Sequence, residues 1–227
     1  LASLNNIQES IDYPKLYYKN ILEGTHNLLL ECSIYNTKFI FASTWMVYET
    51  NDNKLNENSL VNPKNTFVSA KLSCEYLVNT FNSSYDIDTV VLRIFNTYGP
   101  GKKYGVVYHF LNKKLKNETL EIYGDGSQNR DLLYIDDLID AIKIIIETDK
   151  ANGQLLNLGY SEDISIKNLA EHISENIKYE EHLHQNSEVK RVVCDNSKVK
   201  ELLNWEPKVS LNQGILNTME WLKNELT

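Results

Sequence analysis

Positive charge is in short supply in this 227-residue chain: 23 Lys and Arg stand against 31 Asp and Glu, a formal net charge of −8. A surface of that sign repels a phosphate backbone, and no block of like charges forms an interaction tail, which argues against a nucleic-acid partner. Long apolar runs are missing as well. A membrane helix needs about 20 consecutive apolar residues, whereas the greasiest stretches, Phe39 to Ala42 and Ile142 to Ile146, have the length of core segments. The first residues carry neither a basic n-region nor an apolar h-region, so no membrane partner is expected. Cysteine is sparse: Cys32, Cys74 and Cys194 are isolated and odd in number. That pattern fits reduced thiols in a cytoplasmic protein better than a disulfide framework. No Cys or His lies at metal-ligand spacing from another cysteine. His182 and His184, two apart in a charged stretch, read as a solvated loop and not as a metal site.

What is present is a 42% hydrophobic chain in which helical and strand patterns alternate, the signature of a sheet covered by helices. The first helix is expected from Pro14 to about Tyr35, with Leu22, Leu28, Leu29 and Ile34 inward. Residues 38–44 (KFIFAST) read as a buried parallel strand and not an edge strand. The Asn-rich stretch 49–66 is loop. A helix over 67–85 turns Phe67, Ala70, Cys74, Leu77, Val78 and Phe81 to one face, and Lys71 falls on that same face. A second buried strand covers 88–95, a turn-rich loop 96–105, and a helix 106–116. Short extended pieces at 120–123 and 130–135 flank the turn 124–127. The helix 136–148 should bury Leu138, Ile139, Ile142, Ile145 and Ile146. A strand at 155–158 and a Ser165-capped helix over 165–177 come next, the latter with Ile166, Leu169, Ala170 and Ile173 inward. A strand at 190–194 and two short helices close the chain.

Three separate segments resemble one family. Residues 39–48 (FIFASTWMVY) are similar to the strand that delivers the active-site Ser or Thr of extended short-chain dehydrogenase/reductases. Residues 67–71 (FVSAK) stand where that family places Tyr-x-x-x-Lys. Residues 92–100 (LRIFNTYGP), 120–131 (LEIYGDGSQNRD) and 134–137 (YIDD) resemble its NAD-dependent nucleotide-sugar epimerase, decarboxylase and dehydratase branch, as does Leu203-Asn-Trp-Glu-Pro207. The resemblance implies an α/β fold: a Rossmann-like doubly wound parallel sheet with a small C-terminal α/β substrate-binding lobe. Residues 1–100 would be the remainder of the dinucleotide-binding domain, with 126–160 contributing a late strand and helix. Residues 101–125 and 161–227 would form the substrate lobe. No G-x-G-x-x-G cluster occurs in the sequence, and Leu1-Ala2 looks like a segment just after the family's fourth strand. The N-terminal strands and their pyrophosphate-binding turn are therefore expected to lie outside these residues.

In that family a Tyr phenol moves a proton while the nicotinamide exchanges a hydride, a Lys lowers the phenol pKa, and a Ser or Thr orients the sugar. The resemblance assigns those places to Thr44 and Lys71, and it puts Phe67, which has no proton to give, at the Tyr. Read alone, Thr44 is an ordinary strand residue, and Lys71 is either a stem reaching for the surface or an ammonium with a partner. Ala2, Lys71 and Phe95 would touch NAD, although Phe95 also fits as a core ring. Asn96, Val107, Tyr123 and Arg130 would hold a UDP- or dTDP-sugar, with Arg130 reading the diphosphate through its planar fork or else serving a structural ion pair. Arg93 reads as an ion pair at a strand end.

Four further positions depart from the pattern: Ile21 replaces an Asn, Glu49 a Gly, and Trp45-Met46 the acidic pair of dehydratases. Two functions arise as expectations. One is an NAD-dependent epimerase or decarboxylase that works by transient C4 oxidation. The other is a non-catalytic relative that binds sugar nucleotides or serves as a scaffold, and a decayed fragment is a third. NAD and NADP are not distinguished, because the discriminating acid lies outside this stretch. A homodimer through the helices at 14–35 and 67–85 is expected.

Overall fold

A computed structural model describes residues 3–181 and 189–226. Ala2, His182 and His184 lie outside those residues. The chain begins with a short helix, α1 (Ile7–Asp12), and then enters α2 (Pro14–Tyr18) with Pro14 in its first turn. One turn of π-helix, Lys19–Glu23, joins α2 to α3 (Gly24–Tyr35), so the helix expected at 14–35 is continuous but carries one widened turn. Its stripe differs from expectation. Leu29 is fully buried, but Leu28 and Ile34 are 58% and 69% exposed; the buried face runs through Thr25 and Leu29 at i, i+4, and Ile34, five residues past Leu29, falls on another side of the helix.

The strands β1 (Phe39–Thr44), β2 (Thr89–Ile94) and β6 (Gln154–Leu158) form a parallel sheet in the order β1-β2-β6. Among the described residues strand β1 pairs only with β2. Helix α4 (Thr66–Tyr85) covers one face of it and buries Phe67, Ala70, Cys74, Val78 and Phe81. Asn65 caps that helix by accepting from the Val68 N–H at 3.0 Å.

Past the end of β2, Phe95 still donates its N–H to Leu158 of β6 at 2.9 Å. The next residue opens β3 (Asn96–Tyr98), inside the stretch expected to be loop. Strand β3 pairs in parallel with β5 (Asn129–Tyr134), so the chain passes from one sheet to another within a single residue. Strand β5 also carries β7 (Asp163–Ser165) antiparallel and β9 (Arg191–Val192) parallel. Helix α5 (Val106–Leu115) leads to β4 (Leu120–Tyr123), which pairs with β8 (Ile177–Glu180). Helix α7 (Ile166–Ile173) buries the four residues assigned to its face but stops short of 177, because β8 uses those residues.

Helix α6 (Ile135–Glu147) buries Leu138, Ala141 and Ile145, whereas Ile139 and Ile146 are 42% and 58% exposed. The apolar stripe on α6 is wider than its contact. Helices α8 (Ser197–Leu203) and α9 (Leu211–Leu226) end the chain, and α9, at 16 residues, is not short.

Asp131 ties three segments together, accepting from the N–H groups of Tyr160, Ser161 and Cys194 at 2.7, 2.8 and 3.0 Å. Helix α9 docks on β3 through Gly214, where an added Cβ would land on the Tyr98 hydroxyl and within 2.7 Å of its ring carbon Cζ. Helix propensity favours Ala over Gly by about 1 kcal/mol, but overpacking costs about 1–3 kcal/mol, so the clash decides the sign. Gly214→Ala should therefore lower Tm by several degrees in a thermal melt. A Tm at or above wild type would refute this packing.

Candidate functional site

The C-terminal ends of β1 and β2, strand β3, the 102–110 segment and the tips of β4 and β5 surround a cavity of about 1330 Å³. A crevice beyond the carboxyl ends of parallel strands is the usual ligand position in open α/β sheets. Trp45, Met46, Asn65 and Val68 close one end. Val107, Tyr123, Gln128 and Arg130 belong to the wall formed by α5, β4 and β5, and Ile7 and Ile11 of α1 complete it.

Four of the residues singled out from the sequence meet here: Asn96, Val107, Tyr123 and Arg130. Val107 is buried on α5, and Tyr123 is half exposed at the end of β4. Arg130 is held by its own backbone surroundings, its Nη1 donating to the carbonyls of Asn129 and Val189 at 2.8 Å each. Asn96 is the informative one. Its Nδ2 is buried and has no hydrogen-bond partner among the described residues. A buried amide donor left without an acceptor costs about 1–3 kcal/mol, and such a group in a cavity wall calls for an acceptor from a ligand.

Thr44, Phe67 and Lys71 are not among the residues that line the cavity. Thr44 ends β1 and caps the short 3-10 turn Trp45–Val47, accepting from the Met46 N–H at 3.2 Å. Lys71 is 8% exposed. Its Nζ donates to the Ala42 carbonyl at 2.9 Å and lies 4.9 Å from the Phe41 ring centroid and 6.0 Å from that of Phe67. The ammonium is thus neither a snorkelling surface group nor half of an ion pair. Burial holds its pKa below the ordinary lysine range. Phe95 is 2% exposed and packs 6.4 Å from the Tyr48 ring, the position of a core residue. Ile21 is buried, and its carbonyl accepts from the Cys74 thiol at 3.5 Å. The neighbouring Asn20 side chain accepts from the Leu4 N–H at 3.0 Å.

Arg93 makes the ion pair expected of it at a strand end, but sequence reasoning missed its partner and the groups around it. Glu75, one turn beyond Lys71 on α4, takes Arg93 Nε at 3.1 Å and Nη2 at 2.6 Å, and the Ser43 hydroxyl also donates to it. Both charged side chains are about 6% exposed. Arg93 lies 4.6 Å over the Tyr48 ring, and the Tyr48 hydroxyl donates to Asn157 Oδ1 at 2.7 Å. Burial pushes the Tyr48 phenol up to about 12, so it does not exchange protons near neutral pH. The i, i+4 spacing of Lys71 and Glu75 is visible in the sequence, but the partner, Arg93, is 18 residues away.

A parallel sheet with a cavity at its carboxyl edge defines an α/β protein with a ligand crevice in the position usual for open sheets. Comparison with known proteins makes this specific. A family model described as GDP-mannose 4,6 dehydratase matches residues 1–218. A UDP-glucuronate 4-epimerase of Thermodesulfobacterium geofontis is 31% identical across all of this chain and 72% of its own length. YtcB of Bacillus subtilis strain 168, named an uncharacterized UDP-glucose epimerase, is 30% identical over 92% of this chain and 68% of its own. Among solved structures, Pal from Bacillus thuringiensis matches with a TM-score of 0.92 and 42% identity over 99% of this chain and 75% of that one. A UDP-glucuronic acid 4-epimerase from Bacillus cereus, solved with UDP-glucuronic acid and NAD, gives 0.89 and 30% over 99% and 74%. The chain belongs to the family of NAD-dependent nucleotide-sugar epimerases and dehydratases, and its sheet is the Rossmann-like sheet of those proteins.

Removing one member of a buried pair strands the other charge, at a cost of about 3–5 kcal/mol. Glu75→Ala should lose that much in chemical denaturation, whereas Glu75→Met with Arg93→Met should recover most of it. A loss under about 1 kcal/mol in the single variant would show that the pair does not anchor α4 to β2.

Proposed function

We propose that this chain binds a UDP- or dTDP-sugar in the cavity beside Asn96 and does not oxidise it. The observation that carries the reading is the Asn96 amide in the cavity lining, a buried donor for which the described residues supply no acceptor. Asn96 and Arg130 would contact the diphosphate, and Val107 and Tyr123 would wall the base. The sugar would then extend toward Trp45, Met46 and Thr44. On this reading, residues 1–100 with 126–160 form the dinucleotide-side domain, and 101–125 with 161–227 the substrate lobe.

The residues fit NAD only on its nicotinamide side. Lys71 has donor capacity beyond its bond to Ala42 and could reach a ribose hydroxyl. No glycine-rich turn at a helix N-terminus is available among the described residues for the pyrophosphate. When bound, NAD supplies hydride exchange at a sugar carbon. The groups that would accompany that exchange are Thr44, whose hydroxyl can orient the sugar, and Lys71, whose ammonium stands where it would lower a phenol pKa. The ring between them is Phe67, which can neither take nor give a proton. That substitution favours binding without turnover over an active epimerase or decarboxylase.

The exposed apolar side chains of α3 and α4, among them Ile34, Tyr35, Tyr76 and Tyr85, support pairing with a second copy. Sedimentation equilibrium should give twice the chain mass at micromolar concentration, and a monomer there would remove this part of the reading.

Calorimetry with UDP-glucose, UDP-glucuronate and dTDP-glucose should give micromolar dissociation constants for at least one of them. The same samples supplied with NAD should yield no epimerised or decarboxylated sugar nucleotide by chromatography, the readout that transient oxidation requires because it returns the hydride and leaves no net NADH. Phe67→Tyr should leave sugar-nucleotide affinity within about twofold, since Phe67 does not line the cavity. Product formation by the wild-type chain, or no binding of any of these ligands, would refute the proposal.

A further inference from the structure

Among the described residues five cationic or imidazole side chains line the cavity, but they are not equivalent. Lys64 and His109 are exposed, Lys113 is paired with Glu121 at 2.6 Å, and Arg130 is tied to two backbone carbonyls. Lys102 differs from all of these. Its side chain is half-buried, its Nζ donates to the Thr97 carbonyl at 2.8 Å, and it lies 4.7 Å above the Tyr104 ring. No carboxylate is within ion-pair distance of it among the described residues. A partly desolvated ammonium beside neutral groups alone is costly, and burial accordingly holds its pKa below the ordinary range.

The anchor matters as much as the missing partner. Thr97 comes directly after Asn96 on β3, so the same three-residue strand fixes an ammonium without a counter-charge and an amide donor without an acceptor. One ligand group that satisfies both must be anionic and rich in oxygen acceptors.

We infer that Lys102, acting with Asn96, reads the diphosphate of the bound nucleotide and sets the preference for a nucleoside diphosphate over the nucleoside. This rests on the sugar-nucleotide reading of the cavity. The Tyr104 ring and the Thr97 carbonyl hold the stem in place, so the charge is presented without the entropy cost of a free lysine.

The test uses the 227-residue chain with UDP, UMP, uridine and UDP-glucuronate as probes in titration calorimetry. Lys102→Met keeps the apolar stem over Tyr104 and removes only the charge. It should weaken UDP at least tenfold while changing uridine less than twofold, and Lys102→Arg should restore UDP to within about threefold of wild type. The melting temperatures of both variants, matched to wild type, confirm that folding is intact. An equal loss for UDP and uridine would assign Lys102 to packing and overturn the inference, as would no loss at all. A loss confined to UDP-glucuronate would assign the ammonium to a sugar carboxylate and would also overturn it. If the wild-type chain binds no UDP, the cavity reading itself fails. If it binds UDP but Lys102 does not matter, only the inference fails.

Discussion

The passage from β2 to β3 is the constraint on which the rest of the molecule depends. Among the described residues strand β2 pairs with β1 on one side and β6 on the other, and a single residue, Phe95, separates it from β3, which belongs to the second sheet. A backbone that changes sheets within one residue has little freedom, so the residue after Phe95 is placed by the pairing on both sides of it. That residue is Asn96. Its buried amide is unpaired because the strand geometry, not a side-chain preference, put it there.

The anchoring of β2 runs through charge. Arg93 comes two residues before Phe95, and its bidentate pairing with Glu75 fixes β2 to α4, the helix that carries Phe67 and Lys71. Ser43, the residue before Thr44, bonds to the same carboxylate. Thus one buried acid sets the relative positions of the Thr44 turn, the Lys71 ammonium and the strand that leads to Asn96. A buried pair of this kind is a poor source of stability compared with an apolar replacement. Its value here is geometric, since it couples three elements that each hold part of the site.

The elements legible in the sequence are those governed by local periodicity. Helix α4 begins within a residue of its expected start, and the four inward residues of α7 are all buried. Legibility fails where tertiary contact overrides pattern. The wide stripe of α6 overstates its contact face, and Leu28 and Ile34 of α3 lie off the face that buries Thr25 and Leu29. Strand β8 merges with the helix before it in the sequence pattern, because a four-residue strand has too short a period to stand out. At the site, Asn96, Val107, Tyr123 and Arg130 line one cavity, whereas Thr44 and Lys71 do not line it. Lys102 and Glu75 do not announce themselves. Their places depend on burial, on a partner distant in sequence for Glu75, and on a neighbourhood without a carboxylate among the described residues for Lys102.

The central claim is that the Asn96 amide waits for a ligand oxygen. Nuclear magnetic resonance of the 15N-labelled chain, with the Asn96 side-chain signals assigned by their loss in Asn96→Ala, tests it directly. Saturation with UDP should shift both Asn96 amide protons and slow their exchange with water. Unchanged Asn96 signals under conditions where UDP is bound would contradict the account.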